Sequence, residues 1–324
     1  MTGGRMNDGC VKEDESARRE TPPSDLLSKS QTELAAIPDD ELVTAYESLR
    51  EQEDPEGRTY PNIRRLYGTS LEREKDRREI RVRAGDCDAE MQEWYEKARN
   101  QPCTWWLKNH LVAKHALKSC LACGVCTAQC PAAQYYPEYN PRTIVDTVLS
   151  ENEERLVELL KSDTLWYCGQ CGSCKPKCSR ENNLMGLISS LRFLAQLKGY
   201  HLSSVRGRQQ YAMRHLCGGN LWNRACSLYF RNLDAENHPD FGPRHAQYHS
   251  EAEGQMVRLG ASPDRAGQFG GRKLSPQTLA EFRSCLTWGG TLALWNELEK
   301  HASEDAEKNG ISIDEYHSRV HREG

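Results

Sequence analysis

"CLACGVCTAQCP" at residues 120–131 and "CGQCGSCKPKCS" at residues 168–179 place cysteines on the same ruler twice. In each run two residues separate the first and second thiols, two the second and third, and three the third and fourth. Eight of the fourteen cysteines fall on these positions: Cys120, Cys123, Cys126 and Cys130, then Cys168, Cys171, Cys174 and Cys178. Three thiols at this pitch wrap a short loop around one face of an iron–sulfur cube, and the fourth is out of reach of the same cube. In a duplicated run the fourth thiol of each half is free to serve the other.

That rule gives two ligand sets and two [4Fe–4S] clusters. The first set is Cys120, Cys123 and Cys126 with Cys178 from the later run. The second is Cys168, Cys171 and Cys174 with Cys130 from the earlier one. Small residues inside the loops (Ala122, Gly124, Gly169, Gly172 and Ser173) let backbone amides approach the sulfides. Structural zinc is the competing reading, but its all-cysteine sites use two separated knuckles and not four thiols packed in one run. Disulfides need an oxidising compartment. Covalent haem needs a histidine directly after C-x-x-C, and Thr127, Gly172 and Lys175 stand where it would have to be.

Working outward, the spacing predicts helices on both sides of each loop. "PCTWWLKNHLVAKHALK" (102–118) reads as one helix entering the first run, with Leu107, Leu111 and Leu117 as a buried stripe. Between the runs Asn140 caps and Pro141 opens a helix carrying Ile144, Val145, Val148 and Leu149. A second helix carries Leu156, Val157, Leu159 and Leu160. After the later run Leu184, Leu187, Ile188, Leu191, Leu194 and Ala195 follow helical periodicity, and Gly199 ends the helix.

The flanks are polar. Charged residues make up 28% of the chain and mean hydropathy is −0.79, which suggests a modest core with solvated or partner-covered arms. Residues 1 to about 30 read as disordered, 39–50 as a helix with Leu42, Tyr46 and Leu49 on one face, and 51–90 as a solvated, charge-dense surface. Residues 200–272 read as irregular, with helices again at 275–286 and 311–320. A net charge of −4 gives no field for nucleic acid. No apolar run is long enough to span a bilayer and no secretory signal is evident, so a cytoplasmic location is expected.

The remaining cysteines, Cys10, Cys87, Cys103, Cys217, Cys226 and Cys285, have no metal-ligand spacing. Cys217 and Cys226 are a redox-pair candidate, though isolated buried thiols are the commoner outcome. His110 and His115 are read as core-satisfied or solvated, and Trp105 and Trp106 as packing beneath the first loop. Lys114, Lys118, Lys175, Lys177 and Arg180 crowd the loops and offset cluster charge. No dinucleotide, P-loop or hydrolase motif occurs.

On "CLACGVCTAQCP" followed by "LWYCGQCGSCKPKC", the chain resembles the C subunits of heterodisulfide reductases and their soluble relatives. The resemblance covers about residues 100–200. It implies a mainly α fold, with an alpha-helical ferredoxin domain and two [4Fe–4S] clusters at 101–200; composition, not the resemblance, gives a polar extension at 1–100 and a partner-wrapping extension at 201–324. It further implies an electron-transfer subunit between a flavin-containing subunit and a catalytic heterodisulfide reductase B-like subunit. No residue of this chain is expected to be catalytic, since the "CCG" motif that marks the family's disulfide-handling subunit is missing. A succinate-, fumarate- or glycolate-type dehydrogenase subunit and a zinc-stapled scaffold are the alternatives. Ser179 stands where the family pattern prefers proline, and Pro176 lies inside that loop.

Overall fold

The computed structural model describes residues 23–53, 66, 69–117, 119–225, 243–258 and 275–322, and among these the chain is helical with no strand. Its centre is the Leu184–Leu197 helix, capped by the Asn183 side chain accepting from the Gly186 amide. The six residues expected on its buried stripe are all at most 4% exposed. Burying such a side chain contributes about 1.5–3 kcal/mol, so this face anchors the cysteine-bearing half. Around it pack Trp106, Ala113 and Ala116 from before the first run, and Ile144, Val145, Leu156 and Leu160 from between the runs. Tyr95 and Ala98, on the Ala89–Asn100 helix, join the same core.

Asn140 and Pro141 start their helix as expected, the Asn140 carboxamide accepting from the Arg142 amide. The segment at 102–118 differs from expectation. It is two helices, Cys103–Asn109 and Leu111–Ala116, separated by His110 in an extended conformation. The His110 Nδ1 accepts from the Ala113 amide and so caps the second helix. The break lets Trp106 and Ala113 face the central helix from two directions, and it leaves Leu111 70% exposed instead of buried.

The flanks also differ. Ser70–Arg83 is a helix whose Glu72, Glu74, Lys75, Asp76 and Arg78 are buried, so this stretch of the charge-dense segment is not a solvated surface. Glu74 accepts from Arg77 at 2.6 Å and from Arg78 at 2.8 Å, and Lys75 donates to Asn223 at 2.7 Å. Buried charges persist only when paired in this way. Glu74 finds its partners on its own helix, while the partner of Lys75 and the packing of Ile80 come from the far end of the chain. Ile80 packs with Trp222, Leu292, Trp295 and Leu298, while Tyr211 and Ala212 pack with Ala302, Ala306, Tyr316 and Val320. The two polar flanks therefore build a second helical unit together.

Helical structure continues from Tyr200 to Arg224, through a π-helical turn at Arg214–Gly218, where irregular chain was expected. The Thr291–Lys308 helix is a further element beyond those expected. Pro23–Ser28 and Gln31–Leu34 form short helical turns at the edge of the stretch expected to be disordered. Residues 1–22, Cys10, Lys118 and Cys226 lie outside the described residues, and with Cys226 the suggested redox pair.

Candidate metal centre

Local backbone geometry builds the two loops alike. Ala122 and Gly124 have φ of 54° and 75°, while Gln170 and Gly172, at the matching places of the second loop, have 55° and 74°. These left-handed residues turn the chain between successive cysteines. Ala122 and Gln170 hold a conformation that costs a non-glycine residue about 1–2 kcal/mol, a strain that clusters at functional sites. Glycine at 124 and 172 meets the same demand without that cost. In the second loop the turn after Gly169 is made by Gln170.

Side-chain hydrogen bonds then tie the loops to the bundle and to each other. Thr127 Oγ1 donates to Asn140 Oδ1 at 2.7 Å, joining the turn after the first loop to the cap of the Pro141–Leu149 helix. The Asn182 carboxamide donates to the Ser119 carbonyl at 3.0 Å, and the Asn183 amide to the Ala116 carbonyl at 2.7 Å. These two bonds seat the end of the second run beside the start of the first. Arg192, from the central helix, donates to the carbonyls of Leu165 at 2.8 Å and Cys168 at 2.7 Å.

The eight thiols line two adjoining cavities. One, of about 330 Å³, is walled by Cys168, Cys171 and Cys174 of the second run together with Cys130 of the first. The other, tighter at about 30 Å³, is walled by Cys120, Cys123 and Cys126 together with Cys178. Cys126 and Cys174 line both cavities, so they stand in the wall between them. Among the described residues no three His, Cys, Asp or Glu side chains converge on a point suited to a single metal ion. Soft thiols ringing a space, rather than meeting at a point, form a donor set that fits a polynuclear iron–sulfide cluster.

Electrostatics around the thiols are uneven. Burial pushes the Cys126 and Cys174 thiols up from their ordinary value. A hydrogen bond with Ser173 draws Cys171 down. Tyr139, 2% exposed, is pushed far up by burial and by the neighbouring Cys168. Lys114, Lys175, Lys177 and Arg180 are exposed around the loops.

His110 stacks on Trp106 with ring centroids 4.5 Å apart, and burial lowers its pKa, so it is a packed core histidine. His115 is exposed. Trp106 is fully buried and donates to Ser190 Oγ at 2.8 Å. Sequence reading missed Tyr139, Gln170, Ser189 and Arg192. The last three are spaced to meet around Cys168, but nothing local in the sequence signals that.

Comparison with known proteins agrees with this geometry. Residues 116–182 match the 4Fe-4S dicluster domain family. The paired cysteine loops thus lie in a segment like the class of domain that holds two 4Fe-4S clusters, and the zinc reading is set aside.

Within that class the domain is like the C subunits of heterodisulfide reductases. It is 38% identical over 89 residues to the C subunit of the ferredoxin:CoB-CoM heterodisulfide reductase of Methanosarcina acetivorans, covering 28% of this chain and 34% of that protein. It is 32% identical over 99 residues to the second iron-sulfur C subunit of the CoB-CoM heterodisulfide reductase of Methanocaldococcus jannaschii, covering 31% and 50%. The iron-sulfur C subunit of the Methanopyrus kandleri CoB-CoM heterodisulfide reductase is 34% identical over 92 residues, covering 28% and 45%. The chain spans between a third and a half of the length of these relatives.

Proposed function

We propose that this chain is an electron-transfer subunit of a heterodisulfide reductase-like complex, holding one [4Fe–4S] cluster on Cys120, Cys123, Cys126 and Cys178 and a second on Cys168, Cys171, Cys174 and Cys130. The observation that carries this reading is that each thiol-walled cavity includes one fourth-position cysteine, taken from the opposite run. When bound, the clusters supply uptake and release of single electrons. The protein's own part is to hold eight thiolates in place, to keep the two cavities adjacent through Cys126 and Cys174, and to set the charge around them.

We assign no residue a role in bond-making chemistry. A flavin-containing subunit on one side and a B-like, disulfide-handling subunit on the other are the partners that the heterodisulfide reductase likeness suggests. The exposed Lys114, Lys175, Lys177 and Arg180 suit an acidic docking surface on one of them. Among the described residues no helix is long and apolar enough to cross a membrane. We place the complex in the cytoplasm, where thiols stay reduced.

Anaerobic purification of the tagged chain from its own host tests the reading. About eight irons and eight labile sulfides per chain are expected if both centres are cubanes. A flavoprotein and a CCG-bearing subunit should accompany it. Recovery with a succinate- or glycolate-type dehydrogenase would overturn the assignment in favour of that class.

A further inference from the structure

The two loops share a backbone but not a set of donors. Where the first loop has Ala122, the second has Gln170, whose Nε2 points at Cys168 Sγ from 3.7 Å. Ser189, on the central helix, fixes that carboxamide by donating to Gln170 Oε1 at 2.6 Å. Where the first loop has Val125, the second has Ser173, with its Oγ 3.3 Å from Cys171 Sγ. A bound thiolate can only accept, so this hydroxyl becomes the donor. Tyr139 lines the same cavity as Cys168. The guanidinium of Arg192 is pinned to the Cys168 carbonyl, half-buried and over the Trp166 ring at 5.3 Å.

The first loop has less. The Ala122 amide donates to Cys120 Sγ at 3.3 Å. Thr127 lies beside Cys126, but its proton is committed to Asn140. Arg142 lines the cavity and Arg180 is exposed at its edge, and charges in contact with water are screened. Hydrogen bonds to cysteinyl sulfur and fixed positive charge both favour the reduced, more negative form of a cluster.

Resting on the ligand assignment above, we propose that Gln170 and Ser173, with Ser189 and Arg192 as positioning and charge-fixing residues, make the centre on Cys168, Cys171 and Cys174 the higher-potential one, where an electron entering the chain comes to rest. Each centre takes up one electron, with no bond made or broken and no proton moved. The relay then has a direction, from the first loop to the second.

The test is a dithionite titration of the whole protein with redox mediators, followed by EPR, on the purified chain carrying its clusters. The unsubstituted protein should show two midpoints. Gln170→Ala and Ser173→Ala should each lower the higher midpoint and leave the lower one in place. Together they should change the reduction equilibrium by roughly tenfold, which is about 59 mV for one electron. Ser189→Ala should move it the same way through Gln170 alone, from outside the loop. Val125→Ser, which copies Ser173 into the first loop, should raise the lower midpoint.

A single midpoint for both centres, or movement of the lower one in Gln170→Ala, would overturn the proposal with the ligand assignment intact. So would unchanged midpoints at full iron content in all the second-loop variants. A purified chain without iron would instead overturn the ligand assignment itself.

Discussion

Ala122 and Gln170 hold the same left-handed backbone, φ 54° and 55°, two residues after the first cysteine of their respective loops. One residue is the smallest with a Cβ and the other a long amide. The shared conformation therefore belongs to the loop and not to the side chain. Four thiols on one pitch must be turned the same way twice, whatever residue stands at the turn.

The exchange of fourth cysteines predicts an asymmetric injury. Cys130→Ser should lose the centre built mainly on the second loop, with about half the iron, and Cys178→Ser the centre built on the first. EPR of the two variants reads this directly, and loss of the first-loop centre in Cys130→Ser would refute the wiring.

Gly124 tests the turn itself. A Cβ there meets nothing within 4 Å, so Gly124→Ala adds no clash and only backbone strain at φ +75°. Chemical denaturation should show a loss of about 1–2 kcal/mol with the clusters still incorporated.

Beneath the loops, the Trp106 indole N–H depends on Ser190 Oγ at 2.8 Å, with Trp106 fully buried and Ser190 4% exposed. Ser190→Ala leaves that donor without a partner and should cost about 1–3 kcal/mol. Ser190→Thr, which keeps the hydroxyl, should lose less, and thermal melts of the pair separate the two effects.

In the second unit Glu74 is 0% exposed and is shared by Arg77 and Arg78. Glu74→Ala removes the carboxylate of Arg77 and one of the two carboxylates of Arg78, which keeps Asp39 and the Leu34 and Ile37 carbonyls, and should destabilise by about 1–3 kcal/mol. Glu74→Gln should recover part of this by accepting from one of them. Equal stability of all three proteins would show that the charge network is solvated.

Acid should loosen the fold before it titrates the carboxylates. Burial pulls His201 down to about 3 and His215 to about 4, from an ordinary 6.5. Both are neutral in the fold, while the unfolded chain takes up their protons below pH 6.5, so stability falls as pH drops through that value. Each should remove about 1.4 kcal/mol by pH 5.5. Denaturation midpoints between pH 7.5 and 5.5 should show a shallower slope in His201→Gln than in the unsubstituted protein.

How much of this was legible follows the range of the interactions. Leu184, Leu187, Ile188 and Leu191 announce a buried helix because their spacing is a local, covalent property, and Asn140–Pro141 announce its neighbour's start for the same reason. The charged helix Ser70–Arg83 reads as solvated because much of what buries it, Asn223 beside Lys75 and the Trp222–Trp295 cluster around Ile80, lies more than about 140 residues along the chain. The break at His110 was hidden as well, since its cause is the need to present Trp106 and Ala113 to one helix from two sides.

By itself the sequence determined the thiol ruler, its duplication and the helices that bracket it, all set by spacing along the backbone. Tertiary structure alone decided that Gln170, Ser189 and Arg192 gather at Cys168, and that both polar flanks close into one unit. Those outcomes depend on which distant groups meet in a space with little water, where an unpaired charge or donor is costly and a paired one is held in place.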